Sequence, residues 1–276
     1  MVEWLVALVV GAVQGLLEWL PVSSEGAVAV ALTVLDTDPE AATQFALFLH
    51  AGTAVAAAVY YRDVLVDVLR DLPSWRPGSA FGDQADLTFF AIATLVSGFV
   101  GVAGYLGLSR LAAAISEAEA AAAGGIFVAF IGALLFGTGL LMRTAQGRAR
   151  EMRTSPDALD ALLVGTLQGL AVLPGVSRSG TTVSALLLRG HDGENSLRLS
   201  FVLSIPAALG AGLIVVLDDG LPTITPGPAL VALALSAVIG YLVVDVLVRI
   251  VERVDFWRVC VGFGGLAVLG GGLLLL

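Results

Sequence analysis

The sequence predicts an all-α integral membrane protein with six transmembrane helices and two re-entrant helical hairpins, arranged as an inverted-topology repeat within a single membrane domain, residues 1–276. Three observations carry this. Of 276 residues, 58% are hydrophobic and only 13% charged, whereas a soluble domain runs at about 45–50% and about 25%. The apolar runs are continuous over about 18–22 residues instead of alternating two by two, which excludes a β-barrel. Two further apolar stretches are broken in the middle by Pro, Ser and Gly. The same composition excludes a disordered, fibrous or nucleic-acid-binding chain, and a soluble core of this size needs far less apolar surface.

Taken in order, residues 1–35 form the first broken stretch, interrupted at Pro21-Val22-Ser23-Ser24-Glu25-Gly26. Irregular backbone at membrane depth survives only when buried in protein or lining a polar cavity, so a helix, a polar turn and a shorter returning helix are expected here. Crossings follow at 42–61, 87–108 and 124–142, each near the ~20 residues needed for a ~30 Å hydrocarbon core. Residues 158–190 form the second broken stretch, interrupted at Pro174-Gly175-Val176-Ser177-Arg178-Ser179-Gly180. The last crossings are 199–217, 228–248 and 257–276. The N-terminus lacks a basic leader region and carries Gln14 and Glu18, so it reads as part of the mature protein.

Arginine placement supports this layout. Segments 62–86, 143–157, 189–198 and 249–258 hold 12 of the 14 arginines, while the opposite segments hold Asp36, Asp38, Glu40, Glu117, Glu119, Asp218 and Asp219 with only Arg110. With the first four segments cytoplasmic, the positive-inside rule is obeyed throughout, provided each hairpin enters and leaves on one face. A shift of 154 residues aligns Gly11, Gln14, Gly15, Leu16, Val22, Ser23 and Gly26 with Gly165, Gln168, Gly169, Leu170, Val176, Ser177 and Gly180. Repeats of about 1–142 and 158–276 therefore each hold a hairpin and three crossings. An odd number of crossings inverts the second half and brings the two polar turns together near the bilayer middle. The charge balance is 23 acids against 14 bases, every base an arginine, which suggests a chain from a high-salt organism. Cys260, the single cysteine, excludes an internal disulfide.

The chemistry concentrates at the two turns. Gln14 and Glu18 share a helix face, and an ionisable group at this depth costs at least ~2.5–3.5 kcal/mol unless paired or hydrated. A structural ion pair with Arg178 would satisfy Glu18, but the surrounding hydroxyls exceed what one pair needs. Arg178 sits in Ser177-Arg178-Ser179-Gly180-Thr181-Thr182 at the start of a returning helix. A guanidinium fork, hydroxyls, a glycine and free N–H groups of a helix N-terminus suit an anion, phosphate best. The blander reading is a hydroxyl-rich cap with a snorkelling arginine.

The residues Gln14-xxx-Glu18 with Leu20-Pro21-Val22-Ser23-Ser24-x-Gly26, and Leu173-Pro174-Gly175-Val176-Ser177-Arg178-Ser179-Gly180-Thr181-Thr182, resemble the two signature regions of the undecaprenyl-diphosphate phosphatase (bacitracin-resistance) family. Segments 45–53 and 200–206 are also similar, so the resemblance covers essentially the whole chain, as a divergent haloarchaeal member. It implies hydrolysis of a polyprenyl diphosphate to the monophosphate, usually with a divalent cation, to recycle the lipid carrier of cell-surface glycan assembly. By the same resemblance Glu18 is a catalytic acid supported by Gln14, with Gln168 as the repeat-related supporting residue. Ser24 is the nucleophile or a phosphate ligand, and Ser177, Arg178 and Thr182 hold the diphosphate. The residues themselves add Ser23, Ser179, Gly180 and Thr181 to the phosphate site, with the N–H groups of 179–182 on the equatorial oxygens.

The chain departs from the family pattern at Ser24-Glu25-Gly26-Ala27, where the family usually reads Ser-Thr-Gly-His. The general base is lost at Ala27: either Glu25 or a metal-bound water replaces it, or the chain hydrolyses with reduced activity, or it handles the lipid without hydrolysing it. Glu18 and Glu25 with hydroxyls suit Mg²⁺ or Ca²⁺, and nothing supports zinc. His50 reads first as a packed residue, with a substitute base on a neighbouring helix as the alternative, and His191 reads as a solvated loop residue. The expected location is the cell membrane and the expected partners are the lipid diphosphate and the bilayer, with no nucleic acid; a homodimer is compatible. A polyprenyl-phosphate flippase that does not hydrolyse is the alternative of another class.

Overall fold

The computed structural model describes residues 2–34, 39–116, 120–146, 153–218, 225–251 and 254–273. The expected loop charges Asp36, Asp38, Glu117, Glu119, Arg148, Arg150, Asp219 and Arg253 lie outside the described residues, as do residues 274–276. Among the described residues the architecture is helical, with no sheet.

The chain opens with α1 (Val2–Leu17), turns through residues 18–23, and returns as α2 (Ser24–Val34). Ala7 and Val10 of α1 share one buried cluster with Val28, Ala29 and Leu32 of α2, so the pair is a helical hairpin. The second hairpin is α7 (Ala158–Leu170) and α8 (Arg178–Leu188). Between them come α3 (Pro39–Tyr60), α4 (Arg62–Asp71), α5 (Ala85–Ser116) and α6 (Ala120–Ala145). After the second hairpin come α9 (Gly193–Asp218), α10 (Pro226–Val251) and α11 (Phe256–Leu273).

Among the described residues five helices are long and apolar enough to cross a membrane, and the sixth expected crossing is α3, which bends by 79° into the α4 segment. The bend was not foreseen. It follows from the composition of α4, whose Arg, Asp and Val/Leu residues alternate so that Val64, Leu65 and Val68 pack against the core while the charges stay outside. Such a helix lies along an interface instead of entering hydrocarbon. Leu95, Phe99, Leu242 and Leu269 project outward as part of a broad exposed apolar surface, which only lipid covers at low cost. The chain is a multi-pass membrane protein.

Small residues let the helices approach. α1 packs on α10 and α7 packs on α5. A Cβ on Gly11 would lie 2.5 Å from the Ala232 carbonyl oxygen, and one on Gly165 would lie 2.8 Å from that of Ala93. One turn further, Gly15 meets Ser236 and Gly169 meets Ser97, each at 2.8 Å. Two glycines four apart thus face Ala-xxx-Ser in both contacts, an arrangement that brings backbones close without hydrophobic driving force.

A charged cluster clamps the base of the second hairpin. Asp157 caps α7 and exchanges a capping box with Asp160. Arg189, just past α8, donates from Nε to Asp160 at 2.7 Å and from Nη2 to Asp157 at 2.7 Å. Arg153 adds a 2.8 Å bond to Asp157. His191 is the correction here: it is fully buried, with Nε2 3.0 Å from Asp160 Oδ2, instead of solvated in a loop. Burial alone would raise the Asp160 carboxyl, but the bonds from His191, Arg189 and the Asp157 N–H prevail and hold it well below the usual range.

Candidate functional site

Each hairpin turn ends in the same cap. Ser23 Oγ accepts from the Gly26 N–H at 3.0 Å, and Ser177 Oγ accepts from the Gly180 N–H at 3.1 Å. These Ser-x-x-Gly caps are the 154-residue repeat in its local form, with the serine satisfying an otherwise unpaired first-turn donor. Gly175 precedes the second cap at φ 101°, a left-handed conformation that glycine adopts without the Cβ penalty.

The turns dock tip to tip. The Gly175 N–H donates to Ser23 Oγ at 3.0 Å, and Ser179 Oγ donates to the Leu20 carbonyl at 3.2 Å. At the centre Arg178 Nη2 donates to Glu18 Oε1 at 2.6 Å. The other carboxylate oxygen, Oε2, accepts from Gln14 Nε2 at 2.9 Å and from Ser24 Oγ at 2.8 Å. Arg178 also reaches the Ser200 carbonyl and lies 5.5 Å over the Phe201 ring. Every member of the cluster is at most 15% exposed. The planar guanidinium is thereby held as a fixed fork, a donor geometry that matches phosphate oxygens.

His50 belongs to this cluster. Its Nε2 lies 3.3 Å from Glu18 Oε2, and its Nδ1 lies 2.8 Å from the Ala46 carbonyl, which can only accept. Nδ1 therefore carries a hydrogen, and Nε2 is the nitrogen turned to Glu18. Ala27, where the family pattern implies histidine, is exposed and lines none of the cavities described below.

The hydroxyls divide into two groups. Ser23, Ser24, Ser179 and Arg178 line a small recess with Glu18, Glu25 and His50. Ser177, Thr181 and Thr182 do not line it. Thr181 donates to the Ser177 carbonyl at 3.0 Å, Thr182 donates to the Arg178 carbonyl at 2.8 Å, and Thr182 also pairs with Ser200 at 2.6 Å. The Gly180 and Thr181 N–H groups are likewise taken, by Ser177 Oγ and Ser177 O. The part of 177–182 that lines the recess is therefore narrower than the sequence suggests, Arg178 and Ser179. Ser200 and Thr138, which hold the second tip from outside, carried no signal of their own beyond the family likeness of 200–206.

The recess opens into a groove of about 180 Å³. Glu18, Glu25, His50, Gln168, Arg178 and Ser204 line its inner end, and Gly98, Gly101 and Tyr105 of α5 face Ala207, Gly210 and Ala211 of α9 along the rest. A second cavity of about 120 Å³ lies across the tips, lined by Trp19, Met142, Gln146, Ser179 and Ser184 among others.

Glu25 decides whether a divalent cation fits. Its Oε1 is buried with no hydrogen-bond partner, while both Glu18 oxygens are occupied by N–H and O–H donors. The donor set is oxygen-rich, as Mg²⁺ and Ca²⁺ require. Glu25 offers such an ion one unpaired carboxylate oxygen; among the described residues no cluster of three or more His, Cys, Asp or Glu side chains completes a site there or elsewhere.

Fold and site together define a multi-pass membrane protein that buries an arginine–glutamate pair between two hairpin tips. The chain belongs to the bacitracin resistance protein BacA family, whose model matches residues 7–266. It is 57% identical to an undecaprenyl-diphosphatase of Haloarcula marismortui over 99% of this chain and 98% of that one. It is also 36% identical to one of Methanococcoides burtonii, over 95% and 96%, and 35% identical to one of Geobacter metallireducens, over 91% of each. The likeness to the Haloarcula protein accords with the acidic, lysine-free composition of a haloarchaeal chain.

Proposed function

We propose that the chain hydrolyses a polyprenyl diphosphate, of the undecaprenyl or dolichyl type, to the monophosphate and inorganic phosphate, recycling the lipid carrier of cell-surface glycan assembly. The observation that carries this is the continuous chain Ser24–Glu18–Arg178 at the closed end of an apolar-walled groove. The groove suits a head group with a hydrocarbon tail leading out between α5 and α9. The names of the relatives support the same chemistry.

In this reading Arg178 holds the terminal phosphoryl oxygens and neutralises charge as it develops. Ser24 Oγ attacks the phosphorus, its proton passes to Glu18 Oε2, and the bridging P–O bond breaks with its electron pair leaving on the prenyl monophosphate. A nucleophile within hydrogen-bond reach of its proton acceptor, itself oriented by a third group, is the general pattern of covalent catalysis. Gln14 and His50 keep Oε2 turned to Ser24. A Mg²⁺ or Ca²⁺ ion bound at Glu25 would supply positive charge beyond that of Arg178.

The six-crossing inverted repeat belongs to the same reading. It is supported by the matched α1–α10 and α7–α5 contacts and by the matched caps. With the arginine-rich segments cytoplasmic, the groove runs from the middle of α5 and α9 toward their acidic ends, as far as Tyr105 and Ile214, and so opens toward the outer face of the cell membrane. The test is phosphate release by purified chain from a short prenyl diphosphate, with Arg178→Ala and Glu18→Gln as controls.

One observation favours a second reading, a polyprenyl-phosphate flippase. Cavities lie on both sides of the tips, and Ser179 lines the recess on one side and the cavity on the other. Binding of a prenyl monophosphate with no phosphate release from the diphosphate, under any cation, would select it.

A further inference from the structure

Gln14 and Gln168 stand 154 residues apart at equivalent positions of the two hairpins. Chemistry dictates the orientation of each amide. Gln14 Nε2 donates to the Glu18 carboxylate at 2.9 Å, and Gln168 Nε2 donates to the Leu203 carbonyl at 2.9 Å. Both partners only accept, so the nitrogen must face them and Oε1 must point the other way. Both Oε1 atoms are buried with no hydrogen-bond partner.

What they face differs. Gln14 is wholly enclosed, whereas Gln168 lines the groove and is still only 5% exposed. In the first half the glutamine is followed by Glu18; at the matching place in the second half stands Val172, an apolar groove residue. The second glutamine thus has no carboxylate to serve, and its side-chain carbonyl stands buried and unpartnered on a groove-lining residue.

Its anchor sets it beside the head group. Arg178 reaches the Ser200 carbonyl and Gln168 the Leu203 carbonyl. These lie three residues apart on α9, about 4.5 Å along the helix axis. Glu25 Oε1, the other unpartnered buried oxygen of this groove, lines the same end. Two buried acceptors without donors, at the polar inner end of an otherwise apolar groove of about 180 Å³, call for small donors, which water supplies.

We infer that Gln168 is a positioning residue for the hydrolytic water, which its Oε1 holds facing the phosphoryl group carried by Ser24. This rests on the phosphatase reading with Ser24 as nucleophile. The water oxygen attacks the phosphorus and the Ser24 O–P bond breaks. The Ser24 oxygen recovers its proton from Glu18, and dihydrogen phosphate leaves with both water hydrogens. Loss of the acceptor slows this second step and leaves the first in place.

The experiment uses the full chain in detergent at high salt with farnesyl diphosphate labelled in its terminal phosphate. The unchanged chain is expected to release farnesyl monophosphate and inorganic phosphate together over many turnovers. Gln168→Leu is expected to slow steady-state phosphate release about 10- to 100-fold. It should still give a burst near one farnesyl monophosphate per chain and leave acid-stable label on the protein, which the added Ser24→Ala change removes. Gln168→Met replaces the leucine variant if a melting curve shows the latter misfolded. Phosphate release within threefold of the parent, or both products falling together with no labelled protein, overturns the inference and leaves the phosphatase reading standing. No product from the parent chain overturns both.

Discussion

Arg178 Nη2 lies 2.6 Å from Glu18 Oε1, joining residues 160 positions apart at the tips of two separate hairpins. Each is the other's main counter-charge in a low-dielectric setting, so removing one leaves the other buried and uncompensated. Either Glu18→Gln or Arg178→Met should therefore destabilise the chain by about 3–5 kcal/mol, and the double variant should lose clearly less than the sum of the two. Melting curves of the four proteins in detergent measure this cycle; strict additivity would mean the pair does not couple the hairpins.

The glycine contacts predict a positional contrast. Gly11→Ala and Gly165→Ala each put a methyl group within 2.8 Å of a facing carbonyl, so each should cost about 1–3 kcal/mol by overpacking. Gly137→Ala on α6 meets nothing within 4 Å and should be neutral or stabilising by about 0.5–1 kcal/mol. Thermal midpoints give the comparison directly.

Acid should loosen the base of the second hairpin. The folded-state value of Asp160 lies below its ordinary value of 3.8. Its contribution is thus complete above that ordinary value and is lost as pH falls toward the folded one. The midpoint of unfolding should drop below pH about 4. Asp160→Asn should lower the midpoint at neutral pH, because Arg189 and His191 lose their partner, and should flatten this acid limb.

Divalent-cation dependence should follow Glu25. Phosphate release measured against Mg²⁺ and Ca²⁺, with a chelator as baseline, is expected to rise with the ion in the parent chain and to lose that response in Glu25→Gln. An unchanged response in the variant would place the ion elsewhere.

Much of the site was legible because its parts are local. The Ser-x-x-Gly caps, the interrupted apolar runs and the repeated Gly-xxx-Gly of α1 and α7 are short-range patterns with one physical meaning each. The pairing of Glu18 with Arg178 also followed, since two buried opposite charges at two polar turns have few other partners. Contacts that depend on helix rotation did not follow. Nothing local says that His50 on α3 turns Nε2 to Glu18, or that the hydroxyls of Thr181 and Thr182 turn back onto their own helix. The bend after Tyr60 was hidden for another reason: the apolar run 42–61 already has the length of a crossing in the sequence, so nothing there calls for a further helix packed at an angle to it. His191 was misread because its burial depends on Asp160, 31 residues upstream.

The most direct measurement is release of inorganic phosphate from a short prenyl diphosphate by the purified chain, compared with Arg178→Ala. The account predicts multiple turnovers by the parent and a loss of about 10²-fold or more in the variant, as for removal of a preorganised charge-stabilising group. Equal release by the two proteins would contradict it.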